Sequence, residues 1–170
     1  MTDSAGVHQH VHRYSLRTIL QVPAPVERAF TTFTRHVADW WVKEYTWCGP
    51  DALVEIGIEP GEGGMAYEIG PHGFRNDWGR VMVWQPPRRL VLSWQIGPDR
   101  APVPDPRKAT EVEVRFSAHG NGHTLVDVEH RKFDRHGEDG EGYRQALTAG
   151  WHELLSRYAV AVTAQRRSDD

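Results

Sequence analysis

Apolar residues recur along this chain with two periods, and the change of period marks its elements. Between Gly61 and Ile96, three runs rich in Val, Ile, Leu, Tyr and Trp follow one another: Met65–Ile69, Trp78–Trp84 and Leu90–Ile96. Such residues suit a pleated, half-buried surface, so the runs predict three strands. Gly63-Gly64, Gly70-Pro71-His72-Gly73 and Pro86-Pro87 separate them with residues that turn or break the backbone. Alternation also predicts strands over Tyr14–Val22, Ala52–Ile58, Thr110–Ala118 and Thr124–His130, the last two joined at Gly120-Asn121-Gly122. In Thr110–Ala118, Val112, Val114 and Phe116 take one face, with Glu111, Glu113 and Arg115 on the other.

Elsewhere the period lengthens to three and four. Pro23-Ala24-Pro25 opens a helix with Val26, Ala29, Phe30 and Phe33 as its buried stripe, and His36–Trp41 reads as a second short helical piece. From Tyr143 to Ala164, residues Tyr143, Leu147, Trp151, Leu154, Leu155, Tyr158 and Val162 form one stripe of a long helix. Gly150 falls within it at a cost of roughly 1 kcal/mol relative to Ala. A meander needs one face covered, and this helix is the predicted cover. Gly150 then serves close packing of helix on sheet, or leaves room for a ligand beside Trp151. Residues 1–10 and 165–170 are predicted flexible tails around a single domain over 11–164. Gly97–Lys108, with four prolines, is predicted to be an exposed loop without a catalytic group.

Composition narrows the partners. The 170 residues suffice for one domain with a sizeable core. A net charge of −3, with Arg interleaved among Asp and Glu, offers no broad attraction for nucleic acid or an anionic membrane. No apolar run approaches the roughly 20 residues of a membrane span. MTDSAGVHQHVHRY lacks the apolar centre of a signal peptide, and the single Cys48 suits a reducing compartment. The expectation is a cytoplasmic monomer or homodimer.

Seven Trp residues are more than ordinary packing of so small a domain demands. Trp40, Trp41, Trp47, Tyr67, Trp78, Met82, Trp84, Trp94 and Trp151 are therefore candidates to line a small-molecule pocket, the alternative being a solid Trp-rich core. Trp78, Met82 and Trp84 share one strand face if alternation holds. His130 shares a face with Val126 and Val128; it reads as a satisfied core residue, or as a group that contacts a ligand. Glu68 and Arg80 read as a cross-strand ion pair or as pocket groups. His8, His10 and His12 alternate on what reads as a tail, and no metal or cofactor is expected. His152-Glu153-Leu154-Leu155-Ser156 has Ser where a zinc-protease helix needs its second His. Cys48 has no basic neighbour in sequence to activate it.

The order of these features resembles the START-like (SRPBCC) superfamily. More narrowly, it is similar to the family homologous to the C-terminal domain of the activator of heat-shock-protein-90 ATPase. The residues carrying the resemblance begin with Pro23-Ala24-Pro25, Val26–Phe30, Trp40-Trp41, Gly63-Gly64-Met65 and Gly79-Arg80-Val81. Pro86-Pro87-Arg88-Arg89-Leu90 running to Trp94, Thr110-Glu111-Val112, Glu129-His130-Arg131 and Gly150-Trp151 complete them. The resemblance implies an α+β helix-grip fold, in which six to seven antiparallel strands curve around the long C-terminal helix and commonly leave a cavity. It implies binding of a small hydrophobic or aromatic molecule there by the residues above, Gly150 and His130 included, in a stress-related role. A co-chaperone acting on a chaperone ATPase is the alternative; the activator has a further N-terminal domain not found in this sequence. A polyketide cyclase or dehydratase is the second alternative, with His130 as the one inward acid–base candidate.

Overall fold

The computed structural model describes residues 6–168, and of residues 166–168 the backbone alone. Eight strands build one antiparallel sheet: β1 (His8–Val11), β2 (Leu16–Val22), β3 (Glu55–Ile58), β4 (Met65–Ile69), β5 (Arg75–Gln85), β6 (Arg89–Trp94), β7 (Thr110–Ala118) and β8 (Thr124–Arg131). Their order is β1-β2-β8-β7-β6-β5-β4-β3, so the first and last portions of the strand sequence meet at β2 and β8. Two helices complete the fold, α1 (Val26–Arg35) and α2 (Gly140–Ser168). This is the helix grip, with one strand more than predicted.

The additional strand is β1. Residues 8–10, read as part of a tail, pair with β2 from His8↔Ile19 to Val11↔Leu16. The segment has no apolar alternation of its own, so its order comes from the exposed edge it covers. Gln9 adds two side-chain bonds, to Thr18 Oγ1 at 3.1 Å and to the Thr148 carbonyl of α2 at 2.8 Å. At the other end, α2 runs on through Gln165 to Ser168. Residues 1–5 and 169–170 of the predicted tails lie outside the described residues.

Two irregularities in β5 matter for the site. Its pairing with β4 shifts register at Ala66/Tyr67, and its pairing with β6 shifts between Val81 and Val83. Each extra residue breaks strict alternation and re-aims the side chains beyond it. Gly79, between the two, lies so close to β6 that a Cβ would stand 2.6 Å from the Ser93 carbonyl oxygen.

The core is continuous and aromatic. Phe33 sits 4.8 Å from Trp40, 5.8 Å from Phe116 and 5.4 Å from Tyr158 between ring centroids. Tyr158 is fully buried, and its hydroxyl donates to the Ala29 carbonyl at 2.6 Å, tying α2 to α1. That half of the interior is filled. Trp40 touches Trp41 at 5.4 Å, and beyond Trp41 the interior opens.

Candidate functional site

The open half is a pocket of about 360 Å³ between α2 and the sheet. Trp41, Trp78, Trp94 and Trp151 form its inner wall, all buried. Their centroids are 5.0 Å apart for Trp41–Trp78, 5.6 Å for Trp78–Trp94 and 5.7 Å for Trp94–Trp151. Such rigid rings in tilted and edge contacts leave gaps that aliphatic side chains would fill. α2 contributes Tyr143, Leu147, Trp151 and Leu154 of the predicted stripe, together with Gly150. The sheet adds Ile56 and Glu68, while loops supply Tyr45, Thr46 and Trp47 on one side and Gly97, Pro98 and Arg100 on the other.

Six of the predicted pocket residues meet here: Trp41, Trp47, Trp78, Trp94, Gly150 and Trp151. Five do not. Trp40 belongs to the filled half, with its indole N–H donating to the Thr32 carbonyl at 3.3 Å. Trp84 rests edge-on against Phe30 at 5.2 Å. Met82, at the Val81–Val83 register shift, is 41% exposed, so Trp78 and Met82 do not share a face. Tyr67 lies on the outer face of β4, under the Arg75 guanidinium at 4.6 Å. The buried residues of β4 are instead Ala66 and Glu68, opposite in parity to its larger apolar residues.

His130 is the fifth, and it is fully buried. The Trp151 indole N–H donates to its Nδ1 at 2.9 Å, which leaves the ring proton on Nε2, 2.7 Å from Thr110 Oγ1. Burial, and secondarily the charge of His136, pulls the imidazole down to about 3. It is a neutral, fully bonded core histidine that fixes the orientation of Trp151, and it does not line the pocket.

Several polar groups of the wall were not foreseen as a set. The Tyr143 hydroxyl donates to the Ile96 carbonyl at 2.6 Å and accepts the Trp94 indole N–H at 2.9 Å. Burial pushes that phenol up to about 12. Glu68, 2% exposed, accepts the backbone N–H groups of Trp47 at 3.1 Å and Cys48 at 2.9 Å. The expected pairing with Arg80 does not form, because β4 and β5 set Glu68 opposite Asn76 and Arg80 opposite Met65. Cys48 is held above its ordinary value by burial and then by Glu68, which argues against a nucleophile. Among the described residues the buried Trp78 indole N–H has no hydrogen-bond partner, and no group of side chains is arranged to hold a metal ion.

The Gly97–Lys108 segment is largely exposed, as expected, but it is not loose. The Trp47 indole N–H donates to the Arg100 carbonyl at 2.8 Å, and Arg100 Nη2 donates to the Thr46 carbonyl at 2.9 Å. Gln95 Nε2 donates to the carbonyls of Val103 and Pro104. The two loops are thus clasped beside the pocket. No helix among the described residues is long and apolar enough to cross a membrane.

Comparison with known proteins agrees with this architecture. The chain is similar to the anthrahydroquino-γ-pyrone synthase Txn09, whose structure was solved complexed with SUM. The two share 34% identity and a TM-score of 0.61, over 89% of this chain and 99% of that one. CalU16 from Micromonospora echinospora shares the fold at 19% identity and a TM-score of 0.59, over 97% of this chain and 90% of its own. Protein NE0264 from Nitrosomonas europaea does so at 14% and 0.63, over 92% and 99%. The search of curated proteins found no match. The family model of the Activator of Hsp90 ATPase homolog 1-like protein matches residues 23–162, and the chain belongs to that family of START-like domains.

Proposed function

We propose that this protein binds a small, flat aromatic molecule in the pocket between α2 and the sheet. The observation that carries the reading is the hollow of about 360 Å³ walled by four buried indoles, within the size range of small-molecule sites. Stacking and edge contacts with such walls reward planar rings over flexible chains. Titrating the protein with flavonoids, anthraquinones, fatty acids and steroids tests this. Tryptophan fluorescence should respond saturably to the planar aromatics, and a flat response across the panel would overturn the reading.

The 34% identity to a synthase favours a second reading, in which the bound aromatic is also transformed as a polyketide cyclase would do. Incubation with polycyclic aromatic precursors, followed by product analysis, separates binding from turnover. A co-chaperone role rests on the family's name, and stimulation of a purified chaperone ATPase is its test.

A further inference from the structure

Most polar groups in the pocket wall are already engaged. Tyr143 uses its hydroxyl as donor and acceptor, and Trp94, Trp47 and Trp151 each donate their indole N–H. Thr46 Oγ1 donates to the Lys43 carbonyl and accepts from Gly49 N–H. Arg100 donates to the Thr46 carbonyl. Glu68 is different. It is a buried carboxylate with no ion-pair partner among the described residues, and its donors are neutral: Trp47 N–H on Oε2, and Cys48 N–H with Asn76 Nδ2 at 3.5 Å on Oε1.

A carboxylate has about four acceptor positions, so Oε2 retains one. The Cys48 thiol also hydrogen-bonds to this carboxylate, but a thiol is a weak donor that a phenol outcompetes. A charged acceptor in a largely aromatic wall gains more from one further O–H donor than a neutral acceptor does.

We propose that Glu68 is a specificity determinant: the pocket selects aromatic rings bearing a hydroxyl group, which donates to Glu68 Oε2. This rests on the aromatic-binding reading above and adds the chemical class of the ligand. The O–H bond stays intact, so no proton transfer or further reactant is required. A ring whose hydroxyl is methylated fills the same space but has no donor, and it leaves Oε2 desolvated without compensation.

Isothermal titration calorimetry of the full chain at neutral pH, with β-naphthol and its methyl ether, provides the test. β-Naphthol should bind about tenfold tighter or more, the ratio expected for a hydrogen bond to a charged group. Glu68→Gln should bring the two affinities within about twofold, since the neutral amide offers the hydroxyl no charged acceptor. Equal affinities in the wild-type protein would overturn the assignment whether or not the variant folds. Equal binding of both probes would thus sink the role of Glu68 alone, whereas binding of neither would sink the aromatic-binding reading as well.

Discussion

Gly150 shows how much one missing side chain can decide. It lies inside α2, where glycine is about 1 kcal/mol less favourable than alanine. A Cβ there would meet only Tyr45 Cε2 at 3.8 Å, an ordinary contact, so packing does not require glycine. The space it leaves belongs to the pocket. Gly150→Ala should therefore raise unfolding free energy by up to about 1 kcal/mol in urea denaturation while weakening binding of planar aromatics. A destabilised variant, or one that binds more tightly, would contradict this account. The sequence pointed to Gly150 because it interrupts a strong helical stripe; it left open whether the gap was filled.

At the scale of elements, the two loops beside the pocket behave as a unit. The sequence of Gly97–Lys108 predicts an exposed loop, because prolines keep it out of the sheet. Its bonds to Thr46, Trp47 and Gln95 add that it is held in place. Trp47→Phe keeps the ring but removes the N–H that the Arg100 carbonyl accepts, a loss of about 1 kcal/mol. Backbone amides of residues 97–103 should then exchange about fivefold faster, with little change in melting temperature. Unchanged exchange would show that the clasp contributes nothing to the order of the loop.

For the whole molecule, acid should act in two stages. His130 stays neutral down to about 3 in the folded chain, against an ordinary 6.5, chiefly through burial. The unfolded chain takes this proton first, so stability is complete above 6.5 and declines as pH falls toward 3. On the outer face, burial alone would raise Glu113, but hydrogen bonds from Arg89, Arg131 and Arg115 overcome it and hold the carboxyl at about 2. Its contribution is present above the ordinary 4.5 and is lost as pH falls toward 2. Urea midpoints should fall with acidification, with His130→Gln flattening the upper stage and Glu113→Gln the lower. A wild-type midpoint that does not move between pH 6.5 and 4.5 would contradict the buried neutral imidazole.

Local periodicity was enough to place β2 to β8, the α1 stripe and the pocket-facing side of α2. Neighbours two, three or four residues apart decide those features, and they are all present in the sequence. The abundance of Trp likewise announced an interior that is hard to fill. Tertiary structure alone decided where the void lies. The register shifts in β5 turned Met82 outward, and β4 set Glu68 rather than Tyr67 toward the pocket. The edge of β2 made a strand of His8–Val11, whose own residues carry no apolar alternation. Pairing and bulges depend on partners far along the chain, so the same alternating pattern can serve either face until those partners arrive. His130 drew attention as the inward ionisable group, yet two distant side chains, Thr110 and Trp151, occupy both its nitrogens. Glu68 was legible as half of a cross-strand pair with Arg80 or as a pocket group, and strand register together with the aromatic wall around it decided between the two.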